Sequence, residues 1–221
     1  MRTGRELRVA LAALMVIASA AATGVAAGTA DEWPMATGDL ENTRFSTLDQ
    51  INASNVRQLQ PVFSFPMGVE RGQEAAPLVI GSTMYVVAPF PNYVYALDLT
   101  RPASPLKWTF DPKADPASRG VACCDHVNRG AAHADGRIFF NTLDAQTIAL
   151  DAATGRELWR TKLGDVNRGE TMTMAPLVVR DKVLVGNSGA DLGVRGWLTA
   201  LDVTTGRIVW RAWSTGRTRT C

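Results

Sequence analysis

Short apolar segments alternate with polar, turn-rich segments along most of this chain, and no stretch after residue 30 keeps a helical period. This pattern predicts β-strands joined by turns. The clearest apolar runs predict strands that include Met84–Val87, Ile138–Phe140 and Val183–Val185. One short helix is predicted around Asn52 to Leu59, with Asn52 or Ser54 as its cap. The fold class is therefore predicted to be all-β.

One strand–turn–strand unit occurs three times. Ala-Leu-Asp, a Thr-Gly turn and a Trp-bearing strand occupy residues 149–159 and again residues 200–210. A looser copy spans 96–108, where a longer turn that contains Pro separates Ala-Leu-Asp from Lys-Trp. A second landmark, the strand start Ala-Pro-Leu-Val, lies at 76–79 and at 175–178. Internal repeats of this kind indicate an architecture built from similar modules.

The repeated turn has a physical explanation. Its Asp and Thr side chains can bond to backbone groups, and its Gly supplies the positive φ that a tight turn needs. The Trp that follows can bury a large surface between neighbouring repeats. Strand-rich repeats of about fifty residues are typical of β-propeller blades, of which a closed ring has roughly four to eight. About three blades are visible here, and because the last unit ends at Trp210 we expect a truncated chain.

The N-terminus has the layout of a secretory signal peptide. Arg2, Arg5 and Arg8 precede an uncharged run over residues 9–22, and small residues follow as far as Ala30. A membrane anchor is the alternative, but the run is shorter than the roughly 20 apolar residues of a spanning helix. The chain is predicted to contain a signal peptide at 1–30, an N-terminal arm packed on the propeller at 31–66, a partial propeller at 67–216 and an atypical tail at 217–221.

Composition and charge agree with an exported globular protein. The chain is 46% hydrophobic and 20% charged, with 23 basic and 21 acidic residues. The predicted signal peptide holds three of the arginines and one glutamate, so the mature chain would be electrically neutral. Neutrality gives no reason to expect nucleic acid or an anionic membrane as a partner. With only His126 and His133 present, a His-based zinc site is not expected.

Two segments interrupt the repeats and carry the candidate chemistry. The first, residues 119–130, contains the adjacent pair Cys123 and Cys124. In an oxidising compartment each cysteine could pair with a distant partner, for which only Cys221 remains. The two could also pair with each other in a small, strained ring, or stay as free thiols. The residues alone leave these alternatives open.

The second interruption is residues 186–196, which join two strands of the third unit. Its glycines and small residues would let a flat ligand approach the backbone, and Ser188 and Asp191 offer oxygen ligands. A Gly-rich hairpin with no ligand is the alternative, because Gly marks turns of every kind.

Together these features resemble the pyrroloquinoline-quinone (PQQ)-dependent alcohol dehydrogenases, the periplasmic quinoproteins that include methanol and ethanol dehydrogenases. The resemblance runs from about Trp33 to about Gly216. Its most specific pieces are Arg-Gly-Gln-Glu-Ala-Ala-Pro at 71–77, Cys-Cys-Asp with Asn-Arg-Gly at 123–130, Thr-Met-Thr-Met-Ala-Pro at 171–176, Ser-Gly-Ala at 188–190 and Gly-Val-Arg-Gly at 193–196. It implies a β-propeller with Trp-docking repeats, eight blades in the full-length family and about three here.

The resemblance also implies roles for individual residues. Cys123 and Cys124 match a vicinal disulfide that stacks on one face of the quinone. Arg129 matches the arginine near its ortho-quinone and carboxylate oxygens, which suit a guanidinium fork. Asp191 stands where the family usually has Glu as a ligand of Ca²⁺ or a lanthanide ion. The other neighbours of the cofactor match Glu74, Thr173, Ser188, Gly189 and Ala190.

The activity implied by the resemblance is the periplasmic oxidation of primary alcohols by hydride transfer to metal-bound PQQ. An Asp base takes the alcohol proton, and electrons leave through a periplasmic cytochrome c. In family members the matching Asp lies beyond residue 221, so no catalytic residue is assigned here, and we expect the chain alone to lack turnover. The family allows a homodimer of the full-length parent. A non-catalytic propeller scaffold of the bacterial envelope is the alternative function.

Overall fold

The computed structural model describes residues 32–103, 106–122 and 126–216. The predicted signal peptide and the tail at 217–221 lie outside these residues. Within the described ranges, no helix is long and apolar enough to cross a membrane. The short helices there are all of the 3-10 type and span Val56–Gln58, Pro116–Gly120, Val166–Arg168 and Ala190–Leu192.

Within the part of the chain that the structure describes, the strands form three four-stranded antiparallel sheets, in which neighbours in sequence pair with each other. The first sheet contains β1 (Leu78–Ile80), β2 (Thr83–Val87), β3 (Val94–Asp98) and β4 (Leu106–Phe110). The second contains β5 (Ala131–Ala134), β6 (Arg137–Thr142), β7 (Gln146–Asp151) and β8 (Glu157–Lys162). The third contains β9 (Leu177–Val179), β10 (Lys182–Gly186), β11 (Trp197–Asp202) and β12 (Ile208–Trp213). Each sheet has the form of a propeller blade, so the predicted all-β fold with about three blades is confirmed.

The repeated turn folds in the same way in the second and third sheets. Asp151 Oδ1 accepts hydrogen bonds from the backbone N–H of Thr154 at 2.9 Å and from its hydroxyl at 2.7 Å. Asp202 Oδ1 accepts the same pair of bonds from Thr205, at 2.8 and 2.7 Å. The threonine hydroxyl bonds, followed by the backbone bonds, hold the pKa of both carboxyl groups below their ordinary value of 3.8. The carboxylates are therefore ionised acceptors that close the turns.

The first and second sheets are joined by Trp108 on β4. Its indole N–H donates a hydrogen bond to the carbonyl oxygen of Ala152, in the turn of the second sheet, at 3.1 Å. Its ring covers Gly155 so closely that a Cβ on that glycine would lie 2.6 Å from the indole. Gly155 also has a φ of 72°, which other L residues adopt only at a cost. Both the backbone and the ring therefore require glycine at this position.

The second and third sheets repeat this contact through Trp159 on β8. Its indole N–H donates to the carbonyl oxygen of Val203 at 3.1 Å, and a Cβ on Gly206 would lie 2.5 Å from its ring. Trp159 is only 9% exposed and packs in one apolar core with Phe139 of the second sheet and Val183 of the third. The prediction that the repeated Trp buries surface between neighbouring repeats is confirmed.

The N-terminal arm contacts the sheets near its two ends. Near its start Trp33 bridges to Val79 and Met35 to Ala132. Near its end Phe63 and the residues that follow pack on the first sheet beside Tyr95 and Leu97. Between these two anchors its large apolar side chains are exposed to solvent: Leu40, Phe45, Leu48, Ile51, Val56, Leu59 and Val62.

The helix predicted at 52–59 is wrong in length, because only Val56–Gln58 is helical, as a 3-10 turn. Asn52 does not cap it. Its side-chain oxygen accepts instead from the backbone N–H of Ser54 at 3.0 Å, and Asn55, which precedes the turn, makes no side-chain capping bond. No residue of the turn is buried. A longer helix would therefore have no tertiary packing to support it.

Replacing Gly155 by Ala tests the contact between Trp108 and the turn. Gly155→Ala is expected to lower the free energy of unfolding by about 3 kcal/mol, from the positive φ and from the clash with the ring. The matched control is Gly136→Ala, because Gly136 has a φ of 69° but nothing lies within 4 Å of an added Cβ. That change is expected to cost about 1 kcal/mol. Urea unfolding measures both, and equal losses would contradict the packing.

Candidate functional site

Four of the residues predicted to bind the cofactor form one connected series of polar contacts. Arg129 Nη1 donates to Thr173 Oγ1 at 2.8 Å, and Arg129 Nη2 lies 3.3 Å from Glu74 Oε2. Thr173 Oγ1 lies in turn 3.2 Å from Ser188 Oγ. The structure therefore brings together side chains that are widely separated in the sequence.

These contacts form where the segments that lead into the three sheets meet. Glu74 precedes β1, Arg129 precedes β5 and Thr173 precedes β9. Ala76 and Gly130 form a parallel bridge between the first two segments, and the backbone N–H of Arg129 donates to the carbonyl oxygen of Thr173 at 2.9 Å. The site is therefore composed of residues from all three repeats, and its geometry depends on how the sheets dock.

The linked side chains differ in how far they are exposed to solvent. Thr173 is 8% exposed, whereas the side chains of Arg129 and Glu74 are 49% and 46% exposed. An ion pair so open to solvent contributes little, about 0–1 kcal/mol, to stability. The guanidinium can therefore turn part of its fork toward an anionic ligand without a large loss of folding energy.

Two buried asparagines, for which no role was predicted, hold the backbone next to the site in place through side-chain hydrogen bonds. Asn128 and Asn141 are 1% and 0% exposed. Asn128 Nδ2 donates to the carbonyl oxygen of Asn141 at 2.8 Å, and Asn141 Nδ2 donates to that of Met174 at 2.9 Å. The network fixes the residues adjacent to Arg129 and Thr173. The signal for it in the sequence is a polar residue at 141 directly after the apolar run Ile138–Phe140.

Thr171 is a second residue that was not predicted. It forms a β-bridge with Ser188, whose backbone N–H donates to the Thr171 carbonyl oxygen at 2.7 Å. Its side chain is fully buried, and its hydroxyl makes no hydrogen bond within the described ranges. Because buried hydroxyl groups are normally hydrogen-bonded, a ligand or a water could supply the missing bond to Thr171.

The loop over residues 186–196 joins β10 to β11, as predicted. Gly189 has a φ of 121°, and a Cβ on it would lie 2.3 Å from the carbonyl oxygen of Gly169. Its own carbonyl oxygen accepts from the backbone N–H of Val194 at 3.1 Å. Glycine is therefore needed at 189 for close packing of the protein's own backbone. Ala190 follows as the first residue of the 3-10 helix Ala190–Leu192.

The structure does not test the predicted metal ligand or the predicted disulfide. Asp191 lies exposed in the 3-10 helix Ala190–Leu192. Among the residues that the structure describes, no group of three or more His, Cys, Asp and Glu side chains could hold a metal ion. Cys123 and Cys124 lie outside the described residues. The metal and disulfide assignments therefore stay predictions.

A cavity of about 640 Å³ opens near the cysteine segment but does not include the four linked side chains. His126, which follows that segment, lines it, and its carbonyl oxygen accepts from the backbone N–H of Phe90 at 2.9 Å. The guanidinium of Arg119 lies over the Phe90 ring, 5.3 Å from its centre. The residues lining the cavity are Gly68, Val69, Glu70, Arg71, Phe90, Pro91, Arg119 and His126.

Comparisons with known proteins agree with this geometry. The family model described as PQQ, glucose/ethanol/alcohol dehydrogenase, beta-propeller domain, matches residues 33–220. The chain is 54% identical over 185 residues to a lanthanide-dependent methanol dehydrogenase of Methylacidiphilum fumariolicum, covering 84% of this chain and 30% of that protein. It is 43% identical over 184 residues to a quinohemoprotein alcohol dehydrogenase of Comamonas testosteroni, covering 83% of this chain and 26% of the relative.

Solved structures give the same result. A europium-containing methanol dehydrogenase superposes with a TM-score of 0.83 at 53% identity, covering 85% of this chain and 33% of that one. The quinohemoprotein alcohol dehydrogenase from Comamonas testosteroni superposes with a TM-score of 0.77 at 41% identity, covering 83% and 27%. The chain thus spans about 30% of the length of the curated relatives that it matches.

The close approach at Gly189 predicts how the loop responds to substitution. Gly189→Ala is expected to lower the free energy of unfolding by about 3 kcal/mol, because the added Cβ meets a backbone carbonyl at a positive φ. Gly193→Ala is the matched control in the same loop, with a φ of 75° and nothing within 4 Å of an added Cβ. Its expected cost is about 1 kcal/mol. If urea unfolding gave the same loss for both, the loop would not pack as described.

Proposed function

The chain belongs to the family defined by the PQQ β-propeller domain of glucose, ethanol and alcohol dehydrogenases, and we propose that it binds PQQ and takes part in the oxidation of a primary alcohol. The linked contacts of Arg129, Thr173 and Ser188 carry this proposal. Relatives named methanol or alcohol dehydrogenases support the class of reaction. The chain would be the part of such an enzyme that holds one side of the cofactor.

The residues present fit an oxygen-rich anionic quinone. The guanidinium of Arg129 uses Nη1 for Thr173 and Nη2 for Glu74, and its five N–H donors leave further ones for the carboxylate and adjacent oxygens of a ligand. The hydroxyl of Thr173 accepts from it, the hydroxyl of Ser188 lies 3.2 Å from that of Thr173, and Thr171, with its buried hydroxyl, is bridged to Ser188 through the backbone. Several donors that converge on one place suit a ligand with acceptors on its edge.

When bound, PQQ supplies the carbonyl group that accepts a hydride from the alcohol. The chain's own residues bind and orient it. Thr173 accepts a bond from Arg129 and contacts Ser188, and these contacts hold the guanidinium and both hydroxyls close together before the ligand arrives. Glu74 holds the other side of the guanidinium. Backbone groups of Gly189 and Ala190 complete this edge in the proposal, and no catalytic base is assigned within the chain.

One face of the quinone is proposed to lie against a vicinal disulfide between Cys123 and Cys124. Two arguments support this pairing. The cysteines are adjacent in the chain, and they stand six and five residues before Arg129, whose guanidinium belongs to the linked contacts. The predicted removal of residues 1–30 as a signal peptide would deliver the chain to the periplasm, where disulfides persist.

Asp191 is proposed to bind a Ca²⁺ or lanthanide ion beside the quinone. Its carboxylate is exposed and is a hard oxygen ligand of the kind that both ions take. A relative named lanthanide-dependent and a structure named europium-containing support a lanthanide. Since Asp is one methylene shorter than the Glu of the family, we expect weaker metal binding at this position.

A cytochrome c is the proposed electron acceptor. This partner is supported by relatives named methanol dehydrogenase [cytochrome c] subunit 1. One of them, from Methylobacterium organophilum, is 48% identical over 192 residues. A small primary alcohol is the proposed substrate, and a homodimer of a full-length protein stays a prediction. A purely structural propeller scaffold is the competing function, and it requires no affinity for a quinone.

Titration with PQQ separates the two functions, with the fluorescence of the six tryptophans as the readout. The purified chain is expected to bind PQQ saturably, and Arg129→Gln is expected to weaken binding by about tenfold or more, the effect of losing a charged hydrogen bond. Arg156→Gln makes the same charge change at an exposed position in a turn and should leave the affinity within about twofold. A folded chain with no affinity for PQQ would contradict the proposal and favour the scaffold.

A further inference from the structure

The hydroxyl group of Thr171 is buried without making a bond that would stabilise the fold. The residue is 0% exposed, and its hydroxyl has no hydrogen-bond partner among the residues that the structure describes. Two other fully buried threonines differ in this respect: Thr147 Oγ1 donates to Asn141 Oδ1 at 2.8 Å, and Thr199 Oγ1 accepts from Arg211 Nε at 2.7 Å. Because a buried hydroxyl without a partner costs folding energy, a methyl group in its place would make the chain more stable.

The bridge between Thr171 and Ser188 brings their side chains together. The two residues are antiparallel partners that exchange both backbone hydrogen bonds, one from the Ser188 N–H at 2.7 Å and one from the Thr171 N–H at 3.4 Å. Side chains directly opposite each other in such a pair lie on the same face with their Cβ atoms about 5 Å apart, and paired Thr and Ser hydroxyls can bond across that distance. Ser188 is therefore within reach of the Thr171 hydroxyl.

In the structure the hydroxyl of Ser188 contacts a different threonine. Ser188 Oγ lies 3.2 Å from the hydroxyl of Thr173, which also accepts from Arg129 Nη1 at 2.8 Å. Thr173 stands two residues after Thr171 and is therefore the diagonal neighbour of Ser188 across the bridge. A serine hydroxyl has three staggered positions about its Cα–Cβ bond. Ser188 therefore has two threonines as alternative partners, the diagonal one that it contacts and the directly opposite one.

We propose that Thr171 is a positioning residue that holds Ser188 in place when PQQ is bound, an inference that rests on the proposed function. In the bound state the Ser188 hydroxyl donates to an oxygen of the quinone, and its own oxygen accepts from the Thr171 hydroxyl. Thr173 still accepts from Arg129 and is released to donate its proton to the quinone. All three hydroxyl protons then have an acceptor. The hydroxyl at 171 thus costs stability in the ligand-free chain and is used in binding.

Two substitutions at this position separate folding from binding. Thr171→Val removes the hydroxyl and keeps the shape, whereas Thr171→Ser keeps the hydroxyl and removes a buried methyl group. The urea midpoint of the ligand-free chain is expected to rise for Thr171→Val and to fall for Thr171→Ser. The PQQ affinity, read from tryptophan fluorescence, is expected to fall about fivefold for Thr171→Val, the effect of one neutral hydrogen bond, and to stay within about twofold for Thr171→Ser. A merely structural role would put both properties in the same order.

Thr199→Val is the matched control, because Thr199 is also 0% exposed but its hydroxyl has a partner in Arg211, outside the linked contacts of the site. This change is expected to lower the urea midpoint, since it removes an acceptor from the guanidinium, and to leave the PQQ affinity within about twofold. Ser188→Ala tests the route of the effect. In a Ser188→Ala background, Thr171→Val is expected to change the affinity by less than about twofold, because the group that Thr171 holds is gone.

The inference is overturned if Thr171→Val lowers the urea midpoint, fails to fold or binds PQQ as tightly as the parent chain. It is also overturned if Thr171→Val and Ser188→Ala reduce the affinity additively, because Thr171 then does not act through Ser188. These outcomes leave the proposed function standing as long as the parent chain binds PQQ. A folded parent chain with no affinity for PQQ overturns the proposed function and this inference together, so the two failures are distinguishable.

Discussion

The contact between an indole ring and a glycine turn is the interaction on which the rest of this structure depends. An antiparallel sheet of four strands buries little by itself and must cover its faces with a neighbour. Here Trp108 and Trp159 each fill the space that the absent Cβ of a glycine leaves, and each donates to a carbonyl of the same turn. These two contacts join each sheet to the next.

The candidate site exists only because the sheets dock in this way. Arg129 belongs to the segment before the second sheet, and Thr173 to the segment before the third. A displacement of about 1 Å between the sheets would break the 2.8 Å bond between them, because hydrogen bonds weaken steeply with distance and angle. The buried amide of Asn141, which bonds to the carbonyl oxygen of Met174, crosses the same boundary and resists that displacement. The contacts that dock the sheets therefore also determine the geometry of the candidate site.

Sequence reasoning succeeded where the relevant contacts are local or repeated. The strands around Val86, the Asp151 turn and the docking of Trp159 follow from apolar runs, turn chemistry and the repeat. The exposure of the arm's apolar side chains could not be predicted, because a pattern of apolar residues shows what can be buried and not what is buried. The site residues came from a family resemblance, since nothing in residue spacing reveals that Glu74 and Arg129 meet. Thr171 and Asn128 were missed because polar residues show their burial only in three dimensions.

A double-mutant cycle at Trp159 and Gly206 tests the central contact most directly. Alone, Gly206→Ala is expected to lower the free energy of unfolding by about 3 kcal/mol, since its Cβ would enter the ring of Trp159. In a Trp159→Leu background the clash with the indole is gone and only Thr161 Oγ1, at 2.9 Å, still crowds the added Cβ. The same change should then cost about 1 kcal/mol, chiefly the cost of its positive φ. The account predicts a coupling energy of about 2 kcal/mol from urea unfolding. Additive effects, within about 0.5 kcal/mol, would contradict it.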